Sequence, residues 1–296
     1  MRYAVMVPTE TGRAADPEWM AEYARHVEAC GFESIVAVEH AVVVTDYASR
    51  YPYDRSGRME LADTCPIPDP LELLTFLAAS TTTLGLATGV LVLPNHHPVV
   101  LAKRLATLDR LSGGRLRVAA GVGWMREEVE ACGTDFSTRG RRTDESIDVL
   151  RALWADSAPA GADFDGEFFS FTGAMSYPKP VRAGGVPLHI GGHSAAAARR
   201  AGRRGDGFQP LGLRGEDLAG ALTTMRTAAR EAGRDPGALE VTLGHAVTLI
   251  DQGRAEKLAA AGADRIVLAG SGARDLDRQK DELSACAARL GLKAGL

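Results

Sequence analysis

The sequence predicts an α/β protein with a (β/α)8 fold, the TIM barrel. Runs rich in β-forming residues alternate with helical patterns along the chain, which is typical of a parallel sheet built from βα units. Eight such β runs can be counted. Because a TIM barrel commonly uses about 250 residues as one unit, we expect residues 1–296 to form a single domain.

The first half of the chain supplies four strands and three helices. Asp16 and Pro17 are typical of a helix start, and Gly31 follows the end of that helix. A second helix is predicted at Leu71–Ser80, and a third begins at Pro98 with its leucines on one face. The four predicted strands are Arg2–Val7, Ser34–Val38, Leu84–Leu93 and Leu116–Gly121.

The second half repeats the alternation. Helices are predicted from about Thr143 to Trp154, at Ala195–Arg204 and at Asp275–Leu290. The four predicted strands are Pro187–Ile190, Gly207–Pro210, Glu240–Leu249 and Arg265–Leu268.

Two connections are longer than ordinary βα turns and indicate insertions after strands 2 and 4. The first, His40 to Pro70, contains Tyr47, Tyr51 and Tyr53, and we expect it to cover a small-molecule substrate. The second, Asp156 to Val186, has the pattern of a small hairpin.

Composition excludes several classes of protein. A net charge of -4 gives no basic surplus for nucleic acid. No window approaches the roughly 20 apolar residues that a membrane span needs, and no targeting segment is recognisable, so a cytoplasmic location is expected. The 4 cysteines form no Cys-x-x-Cys pair, and the adjacent His96 and His97 lack a third ligand at suitable spacing, so no metal site is predicted.

Residues at strand ends are the first candidates for chemistry, because TIM-barrel active sites lie at the C-terminal ends of the strands. Glu39 and His40 follow the second strand, and an imidazole can exchange a proton near neutral pH. A surface histidine beside a carboxylate is the alternative. In the third strand, Thr88-Gly89-Val90 indicates a β-bulge or a close approach by a ligand.

Two glycine-containing turns are candidates for cofactor binding. Gly121-Val122-Gly123-Trp124 ends the fourth strand, and it fits either a backbone that approaches a ligand or an ordinary turn. Gly191-Gly192-His193-Ser194 leads directly into a helix, where free amides and the helix dipole favour phosphate. The alternative is that Ser194 is only an ordinary N-cap of the helix. The arginines of 139–142 and 199–204 form either solvated helix faces or a surface for an anionic tail.

An ordered set of motifs resembles the luciferase-like monooxygenase superfamily, and within it the coenzyme F420-dependent oxidoreductase branch. The likeness runs from Met1 to about Leu211 and is weaker beyond. The motifs are Gly31-Phe32-Glu33-Ser34 with Glu39-His40, Thr88 to Pro94 with His97-Pro98, Leu105 to Gly114, Gly121 to Trp124, Pro178-Lys179-Pro180 and Ile190 to Ser194.

This resemblance implies a cofactor ring over the strand ends, with a non-proline cis peptide behind it at Gly89-Val90. It also implies a phosphate site at Gly191, Gly192 and Ser194, a catalytic role for His40, and Glu39 near a deazaflavin ring. A homodimer is implied as well.

One position departs from the family pattern. Sugar and alcohol dehydrogenases of the branch have a catalytic glutamate directly after the Gly-x-Gly of strand 4, where this chain has Trp124. Glu127 or Glu128 would substitute only if the turn carried one of them back toward the ring.

The expected function is hydride transfer between the deazaflavin C5 of coenzyme F420 and a small organic substrate. A monooxygenase that uses reduced FMN is the alternative, and a non-catalytic flavin-binding protein is the alternative from another class.

Overall fold

The structure, a computed structural model, describes residues 1–293 and contains a closed barrel of eight parallel strands. The barrel strands are β1 (Arg2–Met6), β2 (Ser34–Ala37), β3 (Gly85–Val92), β4 (Leu116–Gly121), β7 (Leu188–Gly191), β8 (Gly207–Gln209), β9 (Glu240–Ala246) and β10 (Arg265–Ala269). They follow the order β1-β10-β9-β8-β7-β4-β3-β2 around the barrel, and β2 closes it on β1. The predicted fold class is therefore confirmed.

Helices surround the barrel, and several begin at a side-chain cap. Asp16 accepts a hydrogen bond from the Trp19 amide at the start of the first helix, as predicted from Asp16-Pro17. The helices are α1 (Pro17–Ala29), α2 (Pro70–Ser80), α3 (Pro98–Leu111), α4 (Arg126–Ala131), α5 (Arg139–Trp154), α6 (Ala195–Arg204), α7 (Gly215–Glu231), α8 (Gln252–Ala260) and α9 (Leu276–Leu290).

Two predicted boundaries were wrong. Helix α5 begins at Arg139 rather than near Thr143, because its first turn is polar and carries no apolar periodicity. Strand β9 ends at Ala246 rather than Leu249, because the Leu249 and Ile250 amides turn back to the Ala246 carbonyl.

The first predicted insertion leaves the barrel at the C-terminal end of β2, whereas the second lies between the end of α5 and the N-terminal end of β7. Residues 38–69 form the β2–α2 loop, and the second insertion contains an antiparallel hairpin of β5 (Ala162–Asp165) and β6 (Ser170–Ala174). Strand β4 pairs directly with β7, so this hairpin lies outside the barrel. Among residues 1–293, no helix is both long enough and apolar enough to cross a membrane.

A network of charged side chains fills the barrel at the N-terminal ends of the strands. Arg265, only 2% exposed, bonds the Glu33 carboxylate at 2.7 Å and the Glu240 carboxylate at 2.9 Å. Arg117 lies 3.4 Å from Glu33, and His189 is buried beside Glu240. Desolvation, together with the nearby arginine charges, lowers the pKa of His189 to about 3, so this imidazole is neutral at pH 7.

The stability of this network depends on pH. Burial acts to raise the pKa of Glu33, but hydrogen bonds and charge from Arg265 and Arg117 outweigh it and lower the pKa to about 2. A carboxylate whose folded pKa is depressed stabilises the fold above its unfolded pKa, and that contribution is lost as pH falls toward 2. Between pH 6 and pH 3 we expect the wild type to lose about 2 kcal/mol more unfolding free energy than Glu33→Gln. Urea unfolding at both pH values measures this, and equal losses would contradict it.

Candidate active site

Strand β3 provides the floor of the barrel mouth. The Gly89–Val90 peptide bond is cis, at the position that the family resemblance implies. Gly89 pairs with Ala119 and Leu91 pairs with Ala120, so Val90 is an extra, bulged residue, which confirms the predicted bulge. Gly89 and Val90 are both partly exposed, so this floor is open to a ligand.

The Val90 side chain lies between two glycines of neighbouring strands. A Cβ on Gly121 would be 2.6 Å from Val90 Cγ2, and a Cβ on Gly191 would be 2.3 Å from Val90 Cγ1. Any side chain at either position would therefore collide with Val90. This contact gives both glycines a packing role that no local sequence pattern indicates.

Packing around Val90 leads to a stability prediction. Gly121→Ala should destabilise the protein by about 1–3 kcal/mol, because the added methyl group overpacks against Val90. The double variant Gly121→Ala/Val90→Ala should lose less than the sum of the two single variants, because Val90→Ala removes the colliding methyl groups. Urea unfolding of the four proteins measures this coupling, and simple additivity would show that the two side chains do not compete for space.

His40, just beyond the end of β2, is held by a carboxylate from helix α4. Its Nδ1 lies 3.0 Å from Glu128 Oε2, and Glu128 Oε1 accepts the Ala41 amide at 2.6 Å. The Glu128 side chain is only 2% exposed and that of His40 12%. A carboxylate on Nδ1 fixes the ring orientation and leaves Nε2 as the nitrogen available to a ligand. Glu128 thus fixes the orientation of the His40 ring.

Glu127 has a different environment from its neighbour. Its carboxylate accepts the Ala48 amide at 2.7 Å, the Ser49 amide at 3.2 Å and the Ser49 hydroxyl at 2.7 Å. Desolvation raises the pKa of Glu127, but these hydrogen bonds outweigh it and lower the pKa to about 2. A group that stays ionised at neutral pH is a poor general acid. Glu127 therefore fits a role in holding the β2–α2 loop.

Glu39 is also engaged by protein groups. Its carboxylate accepts the Val92 amide and lies 2.6 Å from His96 Nε2, and its side chain is only 4% exposed. Thr88, also buried, donates its hydroxyl to the Ala119 carbonyl at 2.9 Å. Both residues brace β3 around the floor. Within residues 1–293, no three side chains of His, Cys, Asp or Glu are arranged to hold a metal ion.

A series of aromatic rings, here called the aromatic arc, crosses the mouth above β3 and β4. Its members are His40, Trp124, Tyr51, Tyr53 and His193, and successive ring centroids are 6.1, 5.1, 5.4 and 5.5 Å apart. The arc begins after β2 and ends after β7, and β3 and β4 lie between those strands in the barrel. Buried Tyr47 packs behind Trp124 at 5.3 Å. The β2–α2 loop therefore covers the half of the mouth that contains Gly89 and Val90.

The N-terminus of α6 lies at the other end of the arc. Ser194 Oγ accepts the Ala197 amide at 3.1 Å, so Ser194 is the N-cap of α6, and its hydroxyl proton remains free to donate. The Ala195 and Ala196 amides, like others at the start of a helix, have no intrahelical acceptor. Gly192 has a φ of +134°, which favours glycine, and Gly123 lies in the turn before Trp124. The first turn of α6 contains no acidic residue.

The two arginine clusters differ. In the second cluster, Arg200 pairs with Asp144, Arg203 with Glu231 and Arg204 with Asp148. In the first, the Arg139 guanidinium lies 3.6 Å from the centroid of Phe136, and that of Arg142 lies 4.5 Å from the centroid of Phe168. Neither Arg139 nor Arg142 forms an ion pair within residues 1–293, so their positive charge is available to an anion.

Sequence reasoning missed two inward-facing polar residues. Phe208 and Val241 pair across β8 and β9 and pack in the core outside the barrel, so Gln209 and Thr242 point inward. The Gln209 Nε2 lies 3.6 Å from the position of a Cβ on Gly89. The Thr242 hydroxyl is buried without a partner in the described chain. A polar residue directly after a buried apolar residue of a strand was the available signal.

The profile of the luciferase-like monooxygenase family matches residues 1–291. The chain belongs to this family. That membership confirms the predicted superfamily, and it makes the protein an enzyme and an oxidoreductase.

Two relatives and one solved structure of the same fold illustrate the similarity of this luciferase-like enzyme to known proteins. An uncharacterized protein of Mycobacterium tuberculosis is 31% identical over 211 residues, which cover 71% of each chain. The F420-dependent glucose-6-phosphate dehydrogenase of Mycolicibacterium fortuitum is 30% identical over 227 residues, or 74% of this chain and 61% of that one. The solved structure of an F420-dependent secondary alcohol dehydrogenase with an F420-acetone adduct has a TM-score of 0.77 at 19% identity and covers 99% of both chains.

Proposed function

We propose that this luciferase-like enzyme is an F420-dependent oxidoreductase that transfers a hydride between the cofactor and a small organic substrate. The observation that carries the proposal is His40, which Glu128 holds at Nδ1 just beyond the end of β2, the strand that pairs with the one carrying Gly89 and Val90. The relationship to an F420-dependent dehydrogenase at 30% identity supports the same cofactor. We also propose that the chain forms a single domain. The proposed location of the enzyme is the cytoplasm.

The residues in the mouth fit a flat ring with a polar edge. The Gln209 amide offers both a donor and an acceptor, and its Nε2 lies 3.6 Å from the position of a Cβ on Gly89. The pyrimidine edge of a deazaflavin or a flavin carries carbonyl and N–H groups that complement such side chains. Gly89 and Val90 would lie under such a ring, with Gly121 and Gly191 beside Val90, and Trp124 would form a wall.

The start of α6 would hold the phosphate of the cofactor. The Ala195 and Ala196 amides, the Ser194 hydroxyl and the Gly191-Gly192 turn supply the donors, and His193 lies at the edge of this site. A helix N-terminus with free amides favours an anion.

The charge of Arg139 and Arg142 favours F420 over FMN, because F420 carries an acidic oligoglutamate tail. Helices α5 and α6 pack side by side, and the Arg200 guanidinium donates to the Gly140 carbonyl at 3.0 Å. The first turn of α5 therefore lies near the proposed phosphate site, within reach of a tail attached to the phosphate.

When bound, F420 supplies or accepts a hydride at C5 of its deazaflavin ring. The protein's own groups handle the proton and the water. His40 Nε2 donates a proton to the substrate as it is reduced, or accepts one in the reverse direction. Glu128 keeps the His40 ring in place and offsets its positive charge, while Glu39 and Thr88 hold the floor strand. The β2–α2 loop, held by Glu127, excludes water.

Binding titrations with F420 and with FMN test this proposal, with oxygen consumption measured in parallel. We expect tight F420 binding and F420 redox turnover that does not consume oxygen. Tight FMN binding with oxygen consumption would instead establish the monooxygenase alternative.

We also propose a homodimer, formed through α2 and α3. These adjacent helices expose apolar side chains that a second copy of the chain would cover, namely Phe76, Val99, Val100 and Leu111. Light scattering after size exclusion should give twice the mass of one 31.3 kDa chain. A concentration-independent mass of one chain would contradict the dimer.

A further inference from the structure

The aromatic arc has features of a ligand-binding surface rather than of a core. Tyr47, which packs behind the arc, is 7% exposed, and its hydroxyl accepts the Met59 amide at 2.8 Å. Trp124 and Tyr51 are only half-buried, and Tyr53 is 40% exposed. Neither the Tyr51 nor the Tyr53 hydroxyl forms a hydrogen bond within residues 1–293. These rings and hydroxyls are therefore available to a bound molecule.

The tyrosine hydroxyls of the arc are neutral donors. Loss of hydration raises the pKa of Tyr53 to about 12, and loss of hydration together with the Asp54 charge raises the pKa of Tyr51. Both groups therefore keep their protons at neutral pH. They are suited to donate a hydrogen bond to a carbonyl oxygen, and they leave His40 as the proton-transfer group.

The surroundings of the arc disfavour an anionic substrate. Residues 41–69 contain no lysine, and their acidic residues outnumber the arginines. The Arg58 guanidinium lies 4.5 Å from the centroid of the Tyr47 ring, and it donates to the Tyr47 carbonyl at 2.8 Å, so it is engaged within the loop. A phosphate or carboxylate on the substrate would therefore meet a loop of net negative charge, and Arg58 would have to leave the Tyr47 carbonyl to pair with it.

We propose that the substrate is an uncharged, planar, conjugated carbonyl compound that packs against Trp124 and Tyr51 and accepts a hydrogen bond from a tyrosine of the arc. This inference rests on the proposed function for the site as a whole. Aromatic rings favour edge-to-face and offset-stacked contacts with flat ligands, and these contacts need no charge.

Calorimetric titration with three probes tests the substrate class: coumarin, coumarin-3-carboxylate and glucose 6-phosphate. The first two probes share one ring system and differ in charge. We expect coumarin to bind at least about tenfold more tightly than the other two probes. Equal or tighter binding of the carboxylate or the sugar phosphate would overturn the proposal.

Variants of one arc residue separate the ring from the hydroxyl. Tyr51→Leu should weaken coumarin binding about tenfold, and Tyr51→Phe about threefold. Tyr177→Leu, which changes an exposed tyrosine outside the arc, should leave binding unchanged. Unchanged coumarin affinity in Tyr51→Leu would contradict the assignment.

The same titrations separate a failure of the proposed substrate class from a failure of the proposed cofactor. The probes are titrated into the protein with and without F420, and F420 affinity is measured separately for each variant. Failure of the wild type to bind F420 would contradict the proposed function, whereas selective coumarin binding would still support the role of the arc.

Discussion

Replacement of His40 with alanine is expected to lower kcat by roughly 10²–10⁴-fold, the usual contribution of a general acid or base. The affinity for F420 should stay within about twofold, because the proposed phosphate and ring contacts come from other residues. Exogenous imidazole should restore part of the activity, since it can occupy the space left by the side chain. Stopped-flow and steady-state kinetics measure these effects, and full activity of His40→Ala would remove His40 from the mechanism.

Glu128 provides the matched test of how His40 is positioned. Glu128→Gln keeps the shape of the side chain but removes the charge that faces His40 Nδ1. We expect kcat to fall by about tenfold or more with little change in KM, because the loss concerns proton transfer rather than substrate binding. Glu130→Gln, an exposed position in the same helix, is the control and should leave kcat unchanged. The same kcat in both variants would refute the positioning role.

Ala195→Glu is expected to weaken F420 binding by roughly 100-fold, because it places a negative charge where the cofactor phosphate would bind. Ala195 is exposed at the first position of α6, so the substitution creates no steric clash in the core. A glutamate at a helix N-terminus is favourable for the helix itself, so the melting temperature should be unchanged or slightly raised.

Ala195→Gln is the control for the charge, because it has nearly the same size and should change F420 affinity less than about threefold. Fluorescence titration and thermal unfolding of both variants give the comparison. Wild-type affinity in Ala195→Glu would show that the phosphate binds elsewhere.

Local patterns predicted most of the fold and several parts of the site. The cap at Asp16-Pro17 and the eight β runs depend on residues close in sequence, and the structure reproduces them. The bulge at Val90 and the helix start at Ser194 were likewise visible as a glycine within a strand and a glycine pair before an alanine-rich helix. Such features depend on backbone preferences of a few neighbouring residues.

Contacts between distant segments were not predictable in this way. Glu127 and Glu128 are adjacent in sequence, yet Glu128 contacts His40 and Glu127 contacts Ser49, because the β2–α2 loop folds over α4. Their different environments give them different roles. The packing of Val90 between two glycines likewise requires three neighbouring strands in register.

Helix α4 shows a related limit. Six residues, Arg126–Ala131, carry too short a pattern to indicate a helix. Glu127 and Glu128 in its first turn interact favourably with the helix dipole and so stabilise the helix. Two acidic residues after a tryptophan do not by themselves indicate a helix start. From the sequence, both residues are therefore candidates only to substitute for the missing acid.

A diffraction structure of the protein with bound F420 tests the central claim most directly. We expect the deazaflavin ring over Gly89 and Val90 with C5 facing the His40 side, its polar edge at Gln209, and its phosphate on the Ala195 and Ala196 amides. A ring bound outside the β3–β4 side of the mouth, or a phosphate away from the start of α6, would contradict it.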